Sequence, residues 1–274
     1  MREIDVMHQG TPRAICCFAI DDVIVDPGPE SSHRTLLEGL DGFVPRAILL
    51  THIHFDHAGA TGALCGLWPD AEVWVHERGA RHMADPSRLV ASAQRIYGDK
   101  FDTLWGEVVP VPEERMRVLS GGERMDGFRV EYTPGHASHH VAYLHEGTGT
   151  AFTGDVAGVR IGNGPILPPT PPPDIDVELW LASMDVVEAW RPERIAVTHF
   201  GAHDSAGHLD ALRSSLRLWA DRAGELGKEA FEDWVREEMR GDDSYDSYLE
   251  AMPPETLYAG LERYWAKRIS SDPV

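Results

Sequence analysis

Cysteine is scarce in this chain. Three of them, Cys16, Cys17 and Cys65, make neither a disulfide framework nor a zinc-finger spacing. A reduced, cytoplasmic setting is the expectation that follows. Positive charge is also in deficit, with 25 Lys and Arg against 45 Asp and Glu and a net charge of −20. A surface that acidic repels polyanions, so nucleic acid and anionic membranes are disfavoured as partners. No run is long and apolar enough for a membrane span. The first residues, Met1-Arg2-Glu3-Ile4-Asp5, carry acids where a signal peptide would be apolar. No repeat of solenoid period is present. What remains is an ordinary globular balance, 42% hydrophobic and 26% charged over 274 residues, enough for one large domain with a sizeable core.

Histidine is the residue the chain has in quantity, 14 in all, and it is unevenly spread. The apolar run Ala47-Ile48-Leu49-Leu50 reads as a buried strand. It leads directly into Thr51-His52-Ile53-His54-Phe55-Asp56-His57-Ala58-Gly59. Three histidines and an aspartate at one strand end suit a transition metal, because imidazole and carboxylate are borderline-to-hard ligands. The following residues, Ala58 to Leu67, could form a helix.

Other strand candidates are Ala14–Ile20 and Val23–Asp26, which read as a hairpin, then Glu72–His76, Gly127–Thr133, Val141–Leu144, Thr150–Thr153 and Ile195–Thr198. Helical spacing appears over Ser31 to Leu40, Val177 to Trp190 and Ser205 to Leu226. Residues 77–112 look like a helical insertion, read as a lid with an apolar inner face rather than as buried scaffold. The proline run Pro168-Pro169-Thr170-Pro171-Pro172-Pro173 reads as a stiff connector. From Lys228 onward, two or three short amphipathic helices are expected, punctuated by Asp242-Asp243 and Pro253-Pro254. Residues 1–226 thus form a main domain, and 227–274 a helical extension. Strands and helices in this order predict an α/β fold.

One design recurs at four strand ends: Leu50-Thr51-His52, Tyr132-Thr133-Pro134-Gly135-His136, Phe152-Thr153-Gly154-Asp155 and Val197-Thr198-His199. An α/β scaffold gathers such ends on one edge. Asp26 also ends an apolar strand. It is either a turn residue or the carboxylate that stands behind a metal-bound histidine. His139, His140 and His203 lie near these positions without a clear role. His8, His33, His76, His82, His145 and His208 belong to no motif.

His52-x-His54-x-Asp56-His57, followed by His136, Asp155 and His199, resembles the metallo-β-lactamase superfamily over about residues 10 to 210. The resemblance implies a four-layer αββα sandwich with a dinuclear site on one edge. His52, His54 and His136 would hold one ion, Asp56, His57 and His199 a second, and Asp155 would bridge them. Two divalent ions are implied, zinc first, with iron and manganese accepted by the same ligand set. The implied chemistry is attack of a metal-bridging hydroxide on an ester, thioester or lactone, with Asp56 also orienting the nucleophile. Hydroxyacylglutathione hydrolases and acyl-homoserine-lactone lactonases share this ligand set. A small-molecule substrate follows, and a homo-oligomer is compatible. Persulfide dioxygenases are similar but use one iron, and retention of all second-ion ligands weighs against them. Nucleases of this superfamily carry basic surfaces or large added modules, and a chain of this length with a net charge of −20 fits them poorly. A β-lactamase activity has no specific support.

Overall fold

The computed structural model describes residues 1–240 and 244–271; Asp242 and Asp243 lie outside the described residues. Two six-stranded sheets face each other, with helices on both outer surfaces. The first contains β1 (Arg2–Asp5), β2 (Cys16–Ile20), β3 (Val23–Val25), β4 (Ala47–Leu49), β5 (Glu72–His76) and β6 (Met116–Leu119), in that spatial order. β1, β2 and β3 pair antiparallel, and β3 to β6 pair parallel. The second is ordered β12 (Gly201–Asp204), β11 (Arg194–Val197), β10 (Thr150–Phe152), β9 (Val141–His145), β8 (Phe128–Tyr132), β7 (Arg124–Met125). Its pairs are antiparallel except β10 with β11.

Three buried layers explain why the central strands are continuous apolar runs rather than alternating ones: both faces of each sheet are covered. Between the sheets lie Phe18, Val25, Leu49, Trp74, Phe128, Tyr143 and Phe152. Alternate residues of the same strands, Cys17, Ala19, Ile24 and Ile48, face outward. They meet α1 (His33–Leu40), α3 (Thr61–Leu67) and α4 (Glu77–Ala84) through Leu36, Leu40, Leu64 and Met83. On the far side, α7 (Val177–Ala189) and α8 (His208–Glu225) bring Trp180, Leu212 and Trp219 against the second sheet. The four-layer αββα sandwich is therefore the fold. Cys16 and Cys17 point to opposite faces of β2, and all three cysteines are free and buried.

The C-terminal residues join the same core. α9 (Lys228–Glu238), α10 (Tyr245–Ala251) and α11 (Pro254–Ser271) contribute Phe231, Val235, Tyr248, Leu257 and Leu261 to the layer that contains Trp219. The last of these is 18 residues long, longer than its sequence pattern suggests. No helix among the described residues is long and apolar enough to cross a membrane.

Two local departures from the sequence reading have clear causes. The helix expected over Ala58 to Leu67 begins only at Thr61, as α3, after a separate short α2 (Phe55–Ala58), because Ala60 N–H donates to the Gly28 carbonyl at 2.9 Å and draws the chain onto the β3 turn. The strands β1, β6, β7 and β12 escaped sequence reading because they are edge or near-edge strands with polar, exposed faces. The 77–112 insertion is helical: α4, α5 (Ser87–Tyr97) and α6 (Phe101–Trp105).

Candidate metal centre

All four strand ends flagged by the sequence converge. β4 ends before His52, β8 before His136, β10 before Asp155 and β11 before His199. The turn that carries His136 depends on Gly135, at φ +130°, where a Cβ would lie 2.3 Å from the Trp180 backbone. Trp180 donates its indole N–H to the Val156 carbonyl at 2.8 Å and sets its ring edge-on to His136.

Two groups of ligand-type atoms result: His52, His54, His136 and Asp155 in one, Asp56, His57 and His199 in the other. Within each group the atoms lie within 4.8 Å of one another. His54 Nδ1 is 3.0 Å from His52 Nε2 and 3.1 Å from His136 Nε2. Two nitrogens bound to one zinc at roughly 2.0–2.1 Å in a tetrahedron stand about 3.3 Å apart, so both separations are close to those of a zinc site. In the second group Asp56 Oδ2 is 3.7 Å from His57 Nε2 and 3.4 Å from His199 Nε2. Asp155 stands between the groups. Its Oδ2 is 3.2 Å from His136 Nε2, and its Oδ1 is 3.4 Å from His57 Nε2 and 3.6 Å from His199 Nε2.

The outer nitrogens settle which inner ones carry lone pairs. His136 Nδ1 is 3.0 Å from the Pro169 carbonyl, and His199 Nδ1 is 2.7 Å from the Ala14 carbonyl. A carbonyl only accepts, so both Nδ1 atoms carry the proton and both Nε2 atoms are free acceptors. His57 Nδ1 donates to Asp26 Oδ2 at 2.8 Å. Thr51 gives its hydroxyl proton to the same Asp26 oxygen at 2.7 Å, so its oxygen accepts from His52 Nδ1 at 3.1 Å. In its neutral form each of these four imidazoles thus aims an unprotonated nitrogen inward, the form a metal requires.

Electrostatics divides the two groups. Burial pushes His52 and His54 down, and His136 down to about 4, so the first group is neutral imidazole. Burial acts the same way on His57 and His199, but Asp155 and Asp56, joined at His57 by Asp26, outweigh it and raise both. Burial would raise the Asp56 and Asp155 carboxyls; the surrounding histidines overcome it and hold both below the usual carboxylate range. The second group is a point where three carboxylates stabilise positive charge. Buried His57 Nε2, His199 Nε2 and Asp155 Oδ1 have no hydrogen-bond partner among the described residues. Three such acceptors in one place are costly unless something satisfies them, and a divalent cation would satisfy all three.

Asp26 is the carboxylate behind the histidine, not a simple turn residue. It is fully buried and accepts from Thr51 N–H at 2.8 Å, Thr51 and Thr198 hydroxyls at 2.7 and 2.8 Å, and His57. It ties the ends of β3, β4 and β11 together. The proline run does more than connect. Pro169 supplies the carbonyl that fixes His136, Thr170 donates to the Leu257 carbonyl at 3.0 Å, and four of the prolines line the cavity over the site. His140 bonds Thr133 at 2.9 Å and stacks beside His52, while His139 faces Ile53 N–H at 3.4 Å. His203 lies against the carbonyls of Arg160 and Phe200 and joins neither ligand group.

The cavity has a volume of about 940 Å³. Its walls come from α4, α5 and α6 of the insertion, the proline run and the α10–α11 corner. Leu89, Ile96, Tyr97, Trp105, Met252 and Leu257 make much of it apolar. His8, for which the sequence offers no motif, also lines it.

Comparison with known proteins agrees with the geometry. The sequence model of the family described as the metallo-beta-lactamase superfamily matches residues 17–199. The metallo-beta-lactamase fold-containing protein ST1585 of Sulfurisphaera tokodaii is 30% identical over 188 residues, covering 65% of this chain and 68% of that protein. Its crystal structure superposes with a TM-score of 0.69 at 24% identity, over 92% of this chain and 93% of that one. TTHA1623, solved in a di-iron-bound form, matches at 28% identity and a TM-score of 0.54, over 69% of this chain and 89% of that chain. A hydroxyacylglutathione hydrolase of Xanthomonas euvesicatoria is 32% identical over 162 residues, 59% of this chain but only 51% of its own length. With the family model spanning all seven ligand-type residues, the chain belongs to the metallo-β-lactamase superfamily.

Proposed function

We propose that this protein is a dinuclear metal-dependent hydrolase that cleaves an ester, thioester or lactone bond in a small molecule. The observation that carries the reading is the pair of ligand groups with Asp155 between them, opening into one largely apolar cavity. His52, His54 and His136 would hold one ion, Asp56, His57 and His199 the other, and Asp155 both. Zinc fits the nitrogen-rich first group, and iron is the alternative that a di-iron relative supports. Two divalent ions in such a pair of sites supply hydroxide near neutral pH and polarise an acyl carbonyl.

The protein's own residues do the rest. Asp26, Pro169 and Ala14 fix the Nδ1 protons of His57, His136 and His199, so any proton released when the ions bind leaves from Nε2, the nitrogen that faces the site. Asp56 is 22% exposed, the one carboxylate of its group that borders the cavity openly, and can orient the attacking water. The apolar wall of α5 and α6 takes an acyl chain and keeps bulk water from it. Partial likeness to hydroxyacylglutathione hydrolases supports a thioester among the candidates.

A panel of aliphatic esters, thioesters and lactones tests the reading. At least one class is turned over, and chelation abolishes the turnover until divalent metal is restored. Absence of hydrolysis across the panel, with oxygen consumed in the presence of a persulfide, would move the assignment to a mononuclear iron dioxygenase.

A further inference from the structure

The cavity has a polar corner that the ligand groups do not use. His8 sits there, 2% exposed, its ring stacked on Trp105 at 5.5 Å between centroids and 11° between planes. Its Nε2 is 3.4 Å from Glu250 Oε1, and its Nδ1 is 3.5 Å from the Ser32 hydroxyl. Glu250 lies in α10, so the two ends of the chain meet at this point. Both residues line the cavity.

Two features mark the corner as built. Met7 and Gln9, either side of His8, adopt left-handed backbone at φ +50° and +49°. Non-glycine residues avoid that region, and two of them flanking one inward-pointing histidine are strain held by the surrounding contacts. Gln9 is clamped by a 2.7 Å bond to the Thr103 carbonyl. Second, Glu250 is a carboxylate with 25% of its side chain exposed, and His8 is its one ion-pair contact among the described residues. Burial pushes His8 down to about 4 and Glu250 up, so His8 near neutral pH is no counter-charge. A half-buried acid without a cation is costly unless a ligand brings one.

We propose that Glu250 binds a protonated amine carried by the substrate, and that His8 is the positioning residue that holds Glu250 at the cavity wall. The proposal rests on the hydrolase reading for the identity of the bound molecule as an acyl substrate. A carboxylate with one oxygen in a single long contact keeps most of its acceptor sites free for an ammonium group. Aromatic neighbours suit the same ligand: Tyr97 stands edge-on to Trp105 at 5.4 Å, in the same cavity. The cavity's two arginines, Arg78 and Arg81, both come from α4. Arg78 lies over the Tyr132 ring at 5.5 Å, and Tyr132 bonds the Ser138 carbonyl, beside His139. His8, by contrast, feels the charges of Asp56 and His199, in the second ligand group. The amine would therefore enter at the second group's end.

p-Nitrophenyl 6-aminohexanoate and p-nitrophenyl heptanoate test this, because they share length and leaving group and differ in an ammonium against a methyl end. With the metal-loaded protein, kcat/KM favours the amine by about tenfold or more, a factor of ten being roughly 1.4 kcal/mol. Glu250→Gln brings the ratio near one. His8→Phe, which keeps the stack on Trp105, lowers it several-fold. A ratio near one in the parent protein, or one unmoved by Glu250→Gln, overturns the proposal. Calorimetric titration with hexylammonium at pH 7 separates this from the hydrolase reading. Binding that Glu250→Gln removes upholds the amine site even if neither ester is cleaved; equal binding, or none, in both proteins overturns it.

Discussion

Replacing Asp155 by Ala is expected to lower the proposed acyl hydrolysis by roughly three orders of magnitude or more, because the several kcal/mol of charge stabilisation that bound ions would supply are lost with the ions. Among the described residues, Asp155 is the one side chain whose two oxygens face different ligand groups, Oδ2 toward His136 and Oδ1 toward His57 and His199. Without it, each group loses a negative ligand and the pair loses its common one. Asp155→Asn is the sharper variant. It keeps shape and volume but presents an amide that can place a hydrogen-bond donor where an ion should be. Metal content and kcat, measured on the same preparation with circular dichroism as a check on folding, decide the matter. Both variants lose bound metal and turnover together. A folded Asp155→Ala protein that keeps its metal complement and its rate would remove the basis for a shared carboxylate.

Asp26→Ala is expected to damage stability as much as activity. Four donors converge on this carboxylate: Thr51 N–H, the hydroxyls of Thr51 and Thr198, and His57 Nδ1. Removing one partner of a buried charged network costs about 3–5 kcal/mol, since the others stay buried and unpaired. At roughly 2–4 °C per kcal/mol for a protein of this size, Tm falls by about 10 °C. Whatever folds binds metal less tightly, by about 10- to 100-fold, because His57 is no longer held in one tautomer. The loss should fall on the second ligand group first, since His57 bonds Asp26 directly, whereas His52 is reached only through Thr51 and His136 is held by the Pro169 carbonyl. Thermal denaturation and stepwise chelator competition measure the two effects separately. Unchanged metal affinity in a folded variant would mean that Asp26 serves only to tie the strand ends.

The contrast between Asp155 and Asp26 shows what could be read from the chain before folding. His52, His54, Asp56 and His57 were legible because four ligand-type residues follow one apolar run, and chance does not readily produce that. His136, Asp155 and His199 were legible as repeats of one arrangement, a strand ending in threonine followed within three residues by a ligand. The reason for the threonines was not. Thr51 and Thr198 serve Asp26, Thr133 serves His140, and Thr153 donates to the Ala196 carbonyl at 3.1 Å. Roles played by backbone carbonyls leave no residue signature at all. Pro169 sits in a run that reads as a spacer, yet its carbonyl fixes a ligand-type histidine. His8 and Glu250 were invisible for a different reason: they come from opposite ends of the chain and share no local pattern. The edge strands were missed because their polar faces look like loop. The acidic C-terminal helices could be counted but not placed; their Phe231, Leu257 and Leu261 extend the outer core, and Glu250 reaches the cavity.

The seven-residue arrangement makes one quantitative claim above the others, that the folded chain holds two metal ions. Elemental analysis of the purified protein tests it directly. About two divalent ions per chain are expected, zinc or a mixture of zinc and iron, removed by chelation together with hydrolytic activity and restored with it. A single iron per chain at full activity, or full hydrolysis by metal-free protein, would contradict it.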